Sequence, residues 1–467
     1  VYNCYIAGRS IHKPSSVEKM PYFYRNLSQG IILIAILCLF LNSLKAYTQK
    51  TPVQTIPVAK VWSGHSVGFD LLTTDQFQYV TYYDSERNMV IVQRPLASRE
   101  WKRTILPSKV GWDSHNYIHM TIDKKGFIHV SGNMHGVPLI YFRSEKPEDI
   151  GSFEKLSMTG KNEDRVTYPV FFKDQSGDLY FQYRNGGSGN GITYWNKYNA
   201  DKQQWTGLFD TPFFDGESEA NAYMTNPQLG PDGYFYVIWM WRLTPIANTN
   251  HNLSCIRSKD LLHWESMNGQ NVSLPVKWRD TKAVVDPVGP WNGLINMGFQ
   301  INFDHQKTPY ISYHKYDKNG VSQVFITRWE KDKTGNGRWN IYQISDWKDF
   351  TWELNLNGSL RSSVSIAGVA QKEDYIKASI THEKHGSVTW ILDKTTLKIK
   401  QTLPAMSDSD YLKIPPIALE KDMVERRKND NTGRFIMQWQ TLPTFRDKPR
   451  EGPTPAPVDL IIYETEQ

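Results

Sequence analysis

Between Trp112 and His135 the chain carries four histidines: His115, His119, His129 and His135. Imidazole is the side chain that takes or gives a proton near neutral pH without a large pKa shift, so this stretch is the first candidate for acid–base chemistry. Asp123-Lys124-Lys125-Gly126 reads as a tight turn between two β-strands. The predicted hairpin holds His115 on one arm and His135 near the far end of the other, both facing one cleft. A single buried histidine is ordinarily a hydrogen-bonded core residue. Two at the same end of a hairpin, beside Asn116 and Asn133, point to a polar site.

Three further stretches supply polar groups. Val166-Thr167-Tyr168-Pro169 puts a tyrosine at a strand start. Tyr183-Arg184-Asn185-Gly186-Gly187-Ser188-Gly189-Asn190-Gly191 is glycine-rich and follows a strand. Ala220-Asn221-Ala222-Tyr223-Met224-Thr225-Asn226-Pro227 precedes another. The glycine-rich loop lacks the Gly-Lys-Ser/Thr ending of a phosphate loop and no helix follows it, so its glycines are read as allowing a tight bend at a cleft wall. Arg184 reads either as a solvated surface arginine or as a clamp for a carboxylate. A second cluster, His251, Cys255 and His263 with His314 as a fourth ligand, is a candidate structural zinc site; its spacing matches no standard finger. The competing reading makes Cys255 a small buried hydrophobe.

The elements that must position these groups show as a repeat: a polar turn, then an apolar strand. It starts at Asp75, Asp123, Asp174, Asp232, Asp304, Gln371 and Asn431, with successive starts 48, 51, 58, 72, 67 and 60 residues apart. An all-β chain with one such strand per unit of this length predicts a seven-bladed β-propeller. The abundant aromatics, with 16 Trp and 25 Tyr, suit strands and also surfaces that stack on sugar rings. Ser258-Lys259-Asp260-Leu261-Leu262-His263-Trp264 resembles an Asp-box turn without its usual glycine, which is structural. Gly160–Asp164 and Thr249–Asn252 read as loops, and no stretch has sustained helical periodicity. After the proline-rich 452–457 piece, strand 459–463 is expected to pair with the N-terminal region and close the ring.

The formal charge of +6 is concentrated at the start: residues 1–46 hold five basic side chains and one acidic, leaving +2 for the rest. No basic run suits nucleic acid. Ile31–Leu41 is apolar and too short to span a bilayer comfortably; with Arg25 before it and Leu44-Lys45-Ala46 after it, residues 20–46 read as a secretory signal peptide starting at Met20, with 1–19 upstream of the true start. The expectation is a secreted or periplasmic protein, free of the membrane after cleavage, monomeric, and built as one propeller domain over 47–467. Of the three cysteines only Cys255 falls in the mature chain, so no internal disulfide is expected.

At the candidate residues the sequence resembles a known group, the secreted BNR-type seven-bladed propeller polysaccharide lyases typified by ulvan lyases. The resemblance is carried by WDSHNYIHMTIDKKGFIHVSGNMHGVPLIYFRS (112–144), TYP (167–169), YRNGGSGNGITYWNKY (183–198), NAYMTNP (221–227) and the opening GHSVGFDLLTTDQFQYVTYYD (64–84). It implies β-elimination at a uronic acid of a sulfated algal polysaccharide. In that chemistry Arg184 neutralises the uronate carboxylate, His115 is the base and Tyr168 the acid. Tyr168 also serves as base for the other C5 epimer. His135, Asn116 and Tyr223 contact substrate, and no cofactor is required for catalysis. Two alternatives stay open. One is a rhamnosidase or rhamnose–glucuronate-cleaving propeller, with His65 serving a site on the opposite face; the other is a non-catalytic carbohydrate-binding propeller. A sialidase lacks support, since no Arg-Ile-Pro signature lies near the start of the mature chain.

Overall fold

The strand expected after each polar turn is present in all seven units: Phe77–Tyr83, Ile128–Gly132, Leu179–Asn185, Phe235–Arg242, Pro309–Tyr316, Tyr375–His382 and Phe435–Thr441. In several of these turns a side-chain carboxylate satisfies backbone N–H groups that the bend leaves unpaired. Asp123 Oδ1 accepts from Lys125 N and Phe127 N at 2.8 and 3.0 Å. Asp174 does the same for Ser176 and Asp178, and Asp304 for Gln306 and Thr308. Several of these strands read as nearly continuous apolar runs because both faces are covered; all eight residues of Phe235–Arg242 are buried.

The computed structural model describes residues 54–405 and 414–465. The expected signal peptide and the segment ahead of it lie outside the described residues. Among those described, the strands form seven sheets, and each holds one repeat strand hydrogen-bonded between two neighbours. Among the described residues the fold is all-β: the one helical element there is a 3-10 turn, Ala247–Thr249, and no helix there is long and apolar enough to cross a membrane. That turn and strand Asn250–Ser258 replace the loop expected over Thr249–Asn252. Asn250 Nδ2 donates to Ala247 O at 2.7 Å, tying the turn to the strand start.

Successive sheets touch through named strands. Asp70–Thr73 packs on Ile118–Ile122, which packs on Val166–Lys173; Ile192–Asn199 meets Asn221–Met224; Val284–Asp286 meets Gly337–Gln343; and Pro309–Tyr316 meets Val364–Gln371. Asp70–Thr73 also contacts Val424–Asn429, so the first and last sheets are neighbours. The C-terminal strand Val458–Glu464 lies between Phe435–Thr441 and the N-terminal strand Gln54–Val61, the expected pairing. The sixth and seventh sheets are linked by loops: Arg446 Nη2 donates to Asn357 Oδ1 at 2.5 Å, and Ser359 N donates to Asp447 Oδ2 at 2.9 Å.

Large aromatics fill the space between sheets. Trp239, Trp241, Trp264 and Trp439 are fully buried. Trp195 stacks on Phe213 at 4.1 Å and meets Trp264 edge-on at 5.7 Å. Burying such side chains removes the most apolar area per residue, which suits a domain whose described residues include one cysteine and no disulfide.

Candidate active site

Asp113 begins the turn that presents His115. Its Oδ1 accepts from the His115 backbone N at 2.8 Å and from His115 Nδ1 at 2.6 Å, an Asx-type arrangement two residues long. Its other oxygen, Oδ2, accepts from His135 Nδ1 at 2.5 Å. The two imidazoles stack with centroids 4.0 Å apart. Burial would raise the Asp113 pKa, but the hydrogen bonds from His115 and His135 outweigh it and hold the carboxyl well below the usual range. An ionised carboxylate only accepts, so both rings carry their proton on Nδ1 and turn Nε2 outward.

His135 does not end the hairpin as expected. The chain leaves the second sheet after Gly132 and the short strand His135–Val137 adds to the edge of the third, with His135 opposite Thr167. This switch carries His135 toward Tyr168. Strand Val166–Lys173 is irregular between Thr167 and Val170. Tyr168 sits in that bulge at φ +60°, followed by Pro169, which has no N–H to leave unpaired. A non-glycine residue there costs of order 1–3 kcal/mol, a strain that recurs at functional sites. The bulge aims the Tyr168 ring at His115, 5.4 Å away, and at Tyr223, 6.0 Å away.

Arg184 lies near the end of the adjacent strand, paired with Thr167. Its side chain is not a solvated surface arginine: it is 3% exposed, its Cζ lies 4.9 Å from the Tyr168 ring centre, and Nε and Nη1 have no hydrogen-bond partner. The glycine-rich loop makes room for it. A Cβ on Gly191 would stand 2.5 Å from Arg184 Cδ, and Gly186 and Gly189 adopt positive φ. A cavity of about 180 Å³ opens beside Arg184, Tyr168 and Tyr223. A larger one of about 670 Å³ joins His115, His135, Tyr168 and Tyr223 to Arg242 and Asp447.

The two phenols differ. Tyr168 is pushed up by burial and by the neighbouring Tyr223. Burial also acts upward on Tyr223, but Arg242 and Arg184, with hydrogen bonds from Ser188 and Asn221, bring it below the ordinary phenol value. Arg242 Cζ lies 5.2 Å from the Tyr223 ring, and Ser188 Oγ is 2.9 Å from its hydroxyl.

The structure gathers His115, His135, Tyr168, Arg184 and Tyr223 around connected cavities. Asn116 is not among the lining residues. It is buried at 8%, its N–H closes the turn onto Asp113 O and its carbonyl accepts from Tyr83 Oη. These backbone bonds make Asn116 part of the turn that presents His115. His65 is fully buried, and its neighbouring charges include Asp447, Asp113 and His115; it stands behind this same cleft, not on an opposite face.

The zinc expectation is also corrected. Among the described residues, the metal-ligating side chains that come within mutual reach in a group of three or more are Asp113, His115 and His135, with ligand atoms within 4.8 Å; the hydrogen bonds above account for that closeness. His251, Cys255, His263 and His314 do not converge. Cys255 is a buried hydrophobe whose thiol burial pushes up. His263 is exposed and binds Asp260 at 2.7 Å in the Asp-box turn, while His314 Nδ1 is 2.9 Å from Gly293 O and His251 Nδ1 3.3 Å from Thr249 O.

Asp113, Arg242 and Asp447 went unassigned in the sequence reading. Arg242 has a visible signal: it ends the repeat strand of the fourth unit as Arg184 nearly ends that of the third, each directly after an aromatic residue. Asp447, which accepts from Ser114 and Ser359 across three loops, has no local signal.

The chain falls in a defined family. The model of the BNR repeat-containing family matches residues 77–347, more than half of the chain, and the chain belongs to that family. Within it the chain is ulvan lyase-like. It is 38% identical over 87 residues to the short isoform of an ulvan lyase from Alteromonas sp. (strain LOR), and 34% identical over 87 residues to a long isoform from Alteromonas sp.. These matches cover 17% of this chain, and 16% and 8% of the respective relatives. Among solved structures, polysaccharide lyase Uly1 superposes with a TM-score of 0.57 at 13% identity, covering 88% of this chain and 99% of that one. A PL25 ulvan lyase gives 0.58 at 14% identity, covering 88% and 96%. At these identities the structural likeness bears on the fold.

Proposed function

We propose that this chain is a secreted polysaccharide lyase, a single seven-bladed propeller domain over 47–467, that cleaves a uronic-acid-containing sulfated polysaccharide of the ulvan class by β-elimination. Three observations support the propeller: seven sheets in chain order, contacts between successive sheets, and a terminal sheet sewn from both chain ends. The likeness to ulvan lyases supports the substrate class.

The observation that carries the chemistry is Arg184. A buried guanidinium with two unpartnered donor nitrogens is costly, and a ligand carboxylate relieves that cost through paired charge-assisted hydrogen bonds. Neutralising the uronate carboxylate makes its C5 proton removable. His115 Nε2 takes that proton, while Asp113 holds Nδ1–H and stabilises the imidazolium that results. The electron pair of the C5–H bond becomes the C4–C5 double bond, and the C4–O bond breaks. Tyr168, kept protonated by its buried position, gives its proton to the departing glycosidic oxygen. For the opposite C5 epimer the roles exchange: Tyr168 gives its proton to His115, whose ring centre is 5.4 Å from its own, the phenolate takes the C5 proton, and the imidazolium protonates the departing oxygen. His135 and Tyr223 orient the sugar.

Incubating the protein with ulvan and following ultraviolet absorbance tests this reading, because elimination creates a conjugated unsaturated uronate and hydrolysis does not. Absorbance should rise with the wild-type protein and stay flat with His115→Ala. Chain shortening without absorbance would instead identify a hydrolase, and no shortening at all a binding propeller.

A further inference from the structure

Apart from the catalytic cleft, a cavity of about 520 Å³ lies where leading segments of several sheets converge, and the cleft residues Ser114 and Thr444 also border it. Its lining includes Arg426, Arg427 and Lys428 from strand Val424–Asn429, and no aspartate or glutamate. We propose that this cavity is a binding site for a tetrahedral oxyanion of the sulfate or phosphate class, held by Arg426 with Lys428 beside it.

The charge balance singles out Arg426. Lys428 Nζ pairs with Asp70 Oδ1 at 3.0 Å, and Asp70 is further held by Met120 N at 2.8 Å. Arg427 Nε pairs with Glu425 Oε1 at 2.5 Å. Arg426 is exposed along the cavity wall and has no carboxylate partner among the described residues, so its guanidinium is free to meet an incoming anion. His119 Nδ1 accepts from Phe171 N at 2.9 Å, so its Nε2 carries the proton and faces Asp70 Oδ2, 3.9 Å away; like Lys428, His119 is matched by Asp70. Part of the wall is aromatic, with Phe69 stacked on Trp439 at 4.7 Å. Positive charge against a low-dielectric wall focuses the field, and a guanidinium fork matches the edge of an oxyanion. The anion has two sources with one chemistry: free inorganic oxyanion, or the sulfate ester of a sugar reaching in from the cleft.

Titration calorimetry with sodium sulfate at fixed ionic strength, on wild-type protein and Arg426→Gln, tests the site, together with crystals soaked in selenate. The expected result is saturable millimolar or tighter binding, weakened at least tenfold in Arg426→Gln, and selenium density within hydrogen-bond distance of Arg426. Competition by sulfated but not desulfated ulvan oligosaccharide would place the sugar ester there; sulfate binding without such competition would place the free ion. Binding that is absent, equal in the two proteins, or seen at molar sulfate only overturns the proposal. Sulfate binding is read without polysaccharide cleavage, so its failure is distinct from failure of the lyase reading.

Discussion

His115 and His135 stack at 4.0 Å while sharing one carboxylate, each Nδ1 bound to a different oxygen of Asp113. One acid therefore sets the tautomer of both rings. In Asp113→Asn the amide offers one acceptor and one donor, so one ring must turn over or lose its bond. Turnover should fall by roughly 10²–10⁴-fold, the range of a lost general base, with the far-ultraviolet spectrum unchanged. The effect on stability has a definite sign. Asp113 is depressed in the fold, so its contribution is present above the unfolded carboxylate value of about 3.9 and disappears as pH falls. Urea denaturation across acidic pH should show a shallower loss of stability in Asp113→Asn than in wild type.

Arg184 gives a prediction in which activity and stability move apart. Replacing a buried, unpaired charge with an apolar side chain of similar length is often neutral or stabilising, by up to about 4 kcal/mol. Arg184→Met should abolish elimination yet unfold at the same or a higher temperature by calorimetry. A clear fall in unfolding temperature would mean that the guanidinium is already paired in the free protein.

Tyr223 ionises more readily than a free phenol because Arg242 and Arg184 outweigh its burial. In Arg242→Met one cation is gone and burial dominates, so the phenolate is disfavoured and the pKa moves up. Spectrophotometric titration, with Tyr223→Phe subtracted to isolate the group, should show the midpoint at higher pH than in wild type. A midpoint unmoved by the substitution would assign the shift to another partner.

Most repeat strands were legible because they follow a turn whose Asp chemistry is local, and because buried aromatic runs mark strands covered on both faces. His115, Tyr168 and Arg184 were legible as polar groups at strand ends. The path of His135 was not: a three-residue strand has no readable alternation, and its transfer to the third sheet is fixed by pairing opposite Thr167. The zinc cluster failed for a related reason. Sequence proximity of His251, Cys255 and His263 does not bring their ligand atoms together: four residues of extended strand set His251 and Cys255 about 13 Å apart, and His263 lies beyond the strand in an exposed turn. Asp447 reaches Ser114 from 333 residues away, a contact that tertiary structure alone creates.

Gly191 tests whether the glycine-rich loop serves the arginine. An added methyl would lie 2.5 Å from Arg184 Cδ, 2.7 Å from Cγ and 2.9 Å from Gly187 O, so it cannot fit without moving the stem or the loop. The loop resists movement, since Gly189 N donates to buried Asn221 and a methyl on Gly189 would meet Leu243 O at 2.6 Å. The arginine stem is the softer partner, and a displacement of about 1 Å at a positioning group can cost roughly 10²-fold in rate. Gly191→Ala should therefore lower kcat/KM on ulvan by roughly that factor, with overpacking costing about 1–3 kcal/mol of stability. Gly187→Ala supplies the control, because its added methyl meets only the Asn190 amide oxygen at 3.1 Å and the Arg165 side chain at 3.6 Å. If both substitutions reduce activity equally, general loop flexibility explains the glycines; a loss confined to Gly191→Ala ties the space at that position to the placement of Arg184.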